Sequence, residues 1–129
     1  MILGIDTSNN KEIIIFLEKD NKILKRRKIS VSRNQSEKLL PLIESIFEKN
    51  NFSFNDLEEI KVANKGESFT SLRIGILTAN ALAYALKIKV SIIGENKSSK
   101  YVKNFKNFNI VIPNYTRDPD IIISKKNVK

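Results

Sequence analysis

The sequence contains neither cysteine nor histidine among its 129 residues. Without cysteine there are no disulfides, no thiolate nucleophile and no thiolate metal ligand. Without histidine there is no imidazole to shuttle protons and no His-ligated zinc or iron. These two absences close the commonest routes to hydrolase and metalloenzyme chemistry.

Glycine and proline are scarce, with four and three residues, and no apolar run approaches the roughly 20 residues that cross a bilayer. Hydrophobic residues make up 41% of the chain and charged residues 29%, which is ordinary for a globular protein. We therefore expect a compact α/β protein located in the cytoplasm.

The net charge is +9, from 23 basic and 14 acidic residues. Such an excess attracts nucleic-acid phosphates, but lysine-rich composition is also typical of an AT-rich coding bias. No basic stripe interleaved with aromatic residues stands out in the sequence. A solvated basic surface and a surface for nucleic acid or an acidic partner are both compatible with these numbers.

Apolar periodicity predicts three hairpin-linked strands followed by alternating helices and strands. The predicted strands cover residues 1–5, 12–17, 23–31, 59–63 and 89–94, and the predicted helices cover residues 36–50 and 69–86. This βββαβαβ order predicts a mixed sheet flanked by helices, as in RNase H-like and actin-like ATPase domains. Residues 95–107 are polar and basic and predict a short helix or a loop.

Both predicted helices have recognisable start signals. Asn34 or Ser36 is expected to cap the first helix, and Pro41 fits if that helix begins within a turn of it. Ser68 is expected to cap the second helix, whose apolar residues cover most of the helical wheel. A helix of that kind must be covered on both faces.

Three features of the chain resemble the TsaB (YeaZ-like) family. The opening ILGIDTS (residues 2–8) is similar to the family's first strand and Asp-Thr-Ser turn. QSEKLLPLI (35–43) and GESFTSLRIG (66–75) are similar to its two helix starts, and VIPNYTR (111–117) resembles its Pro-x-Tyr-x-Arg segment. Gln35 stands where the family has His, and Glu67 and Ser71 replace motif glycines.

The resemblance implies two parts. Residues 1–95 follow the family's first, actin-like domain, and residues 96–129 correspond to a shortened closing segment in place of most of the second domain. It also implies a non-catalytic scaffold subunit in the synthesis of threonylcarbamoyladenosine beside the tRNA anticodon. A TsaD-like catalytic subunit would be the partner and a TsaE-like ATPase the third component, with a homodimer as the alternative assembly and tRNA contacted indirectly or weakly.

Asp6, Thr7 and Ser8 are the candidate ligand residues, because actin-like ATPases place a carboxylate here for Mg²⁺-bound ATP. Such clusters also simply close turns, and we predict no resident cofactor, metal or catalytic residue. Two-metal nuclease chemistry needs several converging carboxylates, and the helix at residues 69–86 carries none. The loop before that helix, Gly66 to Ser68, predicts a cap and tight turn more than a phosphate loop.

The second helix also carries small residues at every fourth position, Ser71, Gly75 and Ala79. Such a stripe lets another helix approach closely, either the first helix of this chain or a second polypeptide. By resemblance, TsaB proteins use these two helices to dimerise or to bind TsaD. The predicted interface residues are Leu40, Leu42, Ile43, Phe69, Ser71, Leu72, Arg73, Gly75, Ala79 and Leu82.

A rival function is a stand-alone basic module of RNase H-like fold that binds nucleic acid. Salt-sensitive RNA binding without a partner protein would favour this function, and co-purification with a TsaD-like protein would favour the scaffold.

Overall fold

The computed structural model describes residues 1–95 and 99–114, so the predicted tail at 118–129 and the last residues of the VIPNYTR stretch lie outside the described residues. The described elements are the strands β1 (Ile2–Asp6), β2 (Glu12–Lys19), β3 (Lys22–Ser30), β4 (Glu59–Val62), β5 (Lys89–Ile92), β6 (Val102–Asn104) and β7 (Asn109–Val111), and the helices α1 (Gln35–Lys49) and α2 (Phe69–Leu86).

The first five strands form one mixed sheet in the order β3-β2-β1-β4-β5. The central strand β1 pairs antiparallel with β2 and parallel with β4, and β5 extends the parallel half. The predicted βββαβαβ order is confirmed. In a sheet of this kind the ends of β1 and β4 meet beside the start of α2, which brings the predicted ligand turn next to that helix.

Both helices pack on one face of the sheet. Alternate strand residues point towards this face because successive side chains of a strand point to opposite sides. The buried strand residues are Leu3, Ile5, Ile13, Ile15, Leu17, Ile60, Val62, Val90 and Ile92. The helices contribute Leu39, Leu42, Ile43, Ile46, Phe47, Leu72, Ile76, Ala79 and Ala83 to the same core.

Helix α1 begins one residue before its predicted start, so the condition that it begins within a turn of Pro41 is not met. The helix starts at Gln35, so Pro41 lies in its interior, on the exposed side. The missing N–H leaves the carbonyl of Glu37 without its helical donor, and water can solvate it there. Asn34 is the N-cap residue but makes no side-chain cap bond, because its Oδ1 accepts from the backbone N–H of Ser32 at 3.0 Å.

Residues 95–107 were predicted as a short helix or a loop, and this is wrong for residues 102–104, which form strand β6; Glu95 and residues 99–101 and 105–107 lie outside helices and strands. Strands β6 and β7 form an antiparallel hairpin there. The side-chain amides of two asparagines hold the hairpin against β5 and α2. Asn109 bonds both the N–H and the C=O of Val90 at 3.0 and 2.8 Å, and Asn80 does the same for Val111 at 2.9 and 3.0 Å.

Within the described residues, α2 is the one helix with the length and hydropathy of a membrane-crossing segment, contrary to the expectation that no run comes close. Helices buried in protein cores have the same composition. Here Leu72, Ile76, Ala79 and Ala83 pack in the core, and the hairpin contacts the same helix through Asn80. These contacts account for the buried third of α2, and its apolar residues Leu77 and Tyr84 stay exposed.

Candidate functional site

The turn after β1 is closed by its own side chains. Asp6 Oδ1 accepts from the backbone N–H of Ser8 at 2.9 Å and from the Ser8 hydroxyl at 2.6 Å. This is the geometry of an Asx turn, in which a carboxylate replaces a backbone acceptor. The predicted ligand residues therefore come together as expected, but the hydroxyl of Ser8 is already donated within the turn.

Thr7 is fully buried, and its hydroxyl donates to the backbone carbonyl of Ser71 at 2.6 Å. The bond joins the end of β1 to the first turn of α2. It also uses the one proton that a threonine hydroxyl can donate. In this structure both hydroxyls of the Asp6–Ser8 turn therefore donate within the chain. Ligand binding at Asp6, Thr7 and Ser8 stays a prediction.

The loop before α2 packs directly on this turn. The N–H of Glu67 donates to the carbonyl of Ser8 at 3.2 Å, and a Cβ at Gly66 would lie 2.4 Å from Ser8 Cβ and 2.7 Å from its carbonyl oxygen. Ser68 caps α2, since its side chain accepts from the N–H of Ser71. This loop is therefore a helix cap and a tight turn, as predicted. Residue 66 must be glycine for the loop to contact the turn at Ser8.

Gln35, at the position where the TsaB-like pattern has His, is buried beside the same turn. Its Nε2 donates to the carbonyl of Asn10 at 2.7 Å and to the hydroxyl of Ser71 at 2.9 Å. A single amide thereby joins the start of α1, the β1–β2 turn and α2. In residues 1–95 and 99–114, no three His, Cys, Asp or Glu side chains are placed to hold a metal ion.

The small residues of α2 face their own chain. A Cβ at Gly75 would lie 2.3 Å from Thr7 Oγ1, and Ser71 bonds Thr7 and Gln35. The stripe thus lets α2 approach the end of β1 and the start of α1. Of the other predicted interface residues, Leu42, Ile43 and Leu72 are also buried in the core. Buried side chains cannot present themselves to a partner in this structure, so for these residues the proposed contact would require rearrangement.

Part of the predicted interface is accessible. Leu40 is 47% exposed, Arg73 is exposed, and Phe69 and Leu82 are half-buried. Sequence reasoning missed Leu77 and Tyr84, which are 71% and 65% exposed on α2. The spacing of Arg73, Leu77 and Tyr84 at four and seven residues was the available signal. This spacing did not stand out, because apolar residues of the helix itself cover most of its sides.

A family model described as TsaD, tRNA N6-adenosine threonylcarbamoyltransferase, matches residues 28–107, which is more than half of the chain. The chain is also 33% identical over 92 residues to the tRNA threonylcarbamoyladenosine biosynthesis protein TsaB of Bacillus subtilis. The chain belongs to the TsaB/TsaD family. The TsaB-like resemblance of the sequence motifs is thereby confirmed.

Two further comparisons describe how the family fold is shared. A tRNA N6-adenosine threonylcarbamoyltransferase of Bdellovibrio bacteriovorus is 39% identical over 54 residues. The solved structure of YeaZ from Pseudomonas aeruginosa superposes with a TM-score of 0.65 at 23% identity, over 71% of this chain and 42% of YeaZ. That superposition supports the actin-like, RNase H-like fold. The chain spans 40% of the TsaB relative and 16% of the transferase.

Proposed function

We propose that this chain is a non-catalytic subunit in the synthesis of tRNA threonylcarbamoyladenosine, where it binds and activates a TsaD-like partner in the cytoplasm. The relatives named for this pathway support the proposal. So does the absence of histidine, since the chain offers no imidazole for catalysis or metal binding. The hydroxyls of Thr7 and Ser8 already donate within the chain, which also supports a non-catalytic role.

The observation that carries the proposal is Leu77. Its side chain is 71% exposed in the middle of α2, and the exposed Leu40 of α1 adds further apolar surface. Large apolar side chains left in water on neighbouring helices favour burial against another protein. Because the small-residue stripe is already used inside the chain, the proposed contact surface is the outer side of α2.

The remaining parts of the assembly are also proposals. A TsaE-like ATPase would be the third component, and a homodimer through the same surface would compete with binding of the TsaD-like partner. The division into residues 1–95 and 96–129 stays a prediction. The described residues 99–114 form a hairpin that docks on β5 and α2.

Co-expression with the TsaD-like protein of the same source tests the proposal. Wild-type chain should co-purify with it, and Leu77→Glu should weaken binding at least about tenfold, because a carboxylate would be buried without a partner. Leu24→Glu is the matched control, since Leu24 is 40% exposed on β3, far from α2 in the sheet order. Equal binding of the TsaD-like protein by both variants would refute the proposed surface. If the wild-type chain formed no complex, the proposed function would be refuted.

A further inference from the structure

Three aromatic rings lie together at the surface where the β6–β7 hairpin meets the end of α2. Phe105 and Phe108 stack with ring centres 4.8 Å apart and planes 18° apart. Tyr84 meets Phe108 edge to face, at 5.3 Å and 88°. Their exposed fractions are 65% for Tyr84, 53% for Phe105 and 39% for Phe108, so ring surface is open to solvent. We call these three residues the aromatic cluster.

The aromatic cluster is held in place before any ligand arrives. Phe105 and Phe108 face each other across the hairpin end, and the N–H of Phe105 donates to the carbonyl of Phe108 at 2.8 Å. Asn109, which follows Phe108 and begins β7, is bonded to both the N–H and the C=O of Val90. A platform fixed in this way loses little conformational entropy on binding, which favours affinity.

Lysines surround the cluster. Lys87 and Lys89 line the adjoining groove, and Lys106 lies in the turn between the two phenylalanines. Lys103 lies in β6, two residues before Phe105 in the chain. Within the described part of the chain, Lys87, Lys103 and Lys106 form no ion pair with a carboxylate.

The groove beside the cluster has a volume of about 350 Å³. The carboxylate in its lining is that of Glu59, which is buried, accepts from the Ser91 hydroxyl at 2.5 Å and lies 3.9 Å from Lys89 Nζ. Asn104 and Asn107 add amide groups that can donate to and accept from a base edge. The groove thus combines ring faces, amides and uncompensated positive charge.

We infer that the aromatic cluster and its lysines bind a single-stranded RNA segment, with unpaired bases stacked on Tyr84, Phe105 and Phe108. Exposed rings combined with a basic surround are the arrangement that single-strand-binding proteins use, because rings stack on bases and lysines neutralise phosphates. A protein partner at this surface would have to desolvate the same lysines and supply carboxylates for them.

This surface was not predicted, although residues 100–108 (KYVKNFKNF) interleave lysines with aromatic residues. Tyr84 precedes Phe108 by 24 positions, and the hairpin brings these two rings together. The choice of RNA over DNA rests on the proposed function in tRNA modification. The stacking chemistry does not depend on it.

Fluorescence anisotropy of the isolated chain with a labelled, unstructured RNA oligonucleotide tests this inference. We expect salt-sensitive binding that Phe105→Ala/Phe108→Ala weakens at least about tenfold. Phe105→Leu/Phe108→Leu should weaken it similarly while preserving apolar volume, which separates loss of stacking from loss of folding. Circular dichroism and unfolding curves check that the variants fold.

Charge-matched variants and competing ligands complete the test. Lys103→Ala/Lys106→Ala should reduce the affinity, whereas Lys25→Ala/Arg26→Ala, which removes the same charge from β3, should leave it within about twofold. An RNA duplex should bind more weakly than the single strand. The inference would be overturned if the chain did not bind RNA, or if the phenylalanine variants bound it as well as the wild type does. An equal loss of affinity in the β3 control would also overturn it, as would a preference for DNA of the same sequence. Co-purification with the TsaD-like partner is measured separately, so failure here is distinguishable from failure of the proposed function.

Discussion

The hydroxyl of Thr7 donates to the backbone carbonyl of Ser71 across 2.6 Å, and this bond ties the end of the central strand to the first turn of α2. Both residues are buried. To bind a phosphate, the Thr7 hydroxyl would have to donate to it instead, and the Ser71 carbonyl has no proton to donate. Here they face each other, so the turn after β1 acts as a joint between sheet and helix.

Thr7→Val should lower the free energy of unfolding by about 1–2 kcal/mol, because valine keeps the shape and removes a buried hydrogen bond. Urea denaturation of both proteins measures this difference. Thr70→Val is the control on the exposed side of α2 and should change stability by less than about 0.5 kcal/mol. Equal effects at the two positions would contradict the assigned role of Thr7.

Gly75→Ala should destabilise the protein by about 1–3 kcal/mol, although alanine is the better helix former by about 1 kcal/mol. The added Cβ would lie 2.3 Å from Thr7 Oγ1 and would force the helix away from β1. In a double-mutant cycle, Thr7→Ala should relieve part of this cost. Strict additivity of the two changes, measured by denaturation, would show that the helix does not approach Thr7 closely.

Asn109→Ala should cost roughly 1–3 kcal/mol, because it leaves both the N–H and the C=O of Val90 without their partners. Hydrogen exchange at the Val90 amide should accelerate in the variant. Asn104→Ala is a close control, since Asn104 is exposed and pairs directly with Asn109 across the hairpin. If Asn104→Ala were as damaging as Asn109→Ala, the bonds to Val90 would not be what fixes the hairpin.

Lys87→Gly should stabilise the protein by about 1 kcal/mol. Lys87 ends α2 in the left-handed region with φ 59° and ψ 42°, where glycine has no steric cost. Glu44→Gly, at an exposed position in the interior of α1, should have the opposite sign and a similar size. Thermal or urea unfolding measures the stability of both variants. A loss of stability in both would contradict the left-handed conformation assigned to Lys87.

Much of the fold was predictable because local signals agreed. Ser68 caps a helix that begins at the next residue, and the alternation of Ile13, Ile15 and Leu17 matches the buried face of β2. The start of α1 was predicted to within one residue, but Pro41 was expected within a turn of it, because proline deeper in a helix is unfavourable. Pro41 is tolerated in the helix interior on its exposed side.

The site was less predictable, because it depends on contacts between distant segments. The hairpin is fixed by Asn80 and Asn109, whose backbone partners lie 31 and 19 positions away. The small stripe of α2 was compatible with contact inside the chain or with a second polypeptide, and in this structure Thr7 occupies the space above Gly75. The spacing of Leu77 and Tyr84 did not stand out on a helix that is apolar all round.

Reconstituted synthesis of threonylcarbamoyladenosine on tRNA is the most direct test of the central claim that this chain acts through a TsaD-like enzyme. Purified TsaD-like protein and the other components of the reaction are assayed with and without the chain. We predict product formation that depends on the wild-type chain, is retained with Leu24→Glu and is lost with Leu77→Glu. Product formation at the same rate when the chain is omitted would contradict the account.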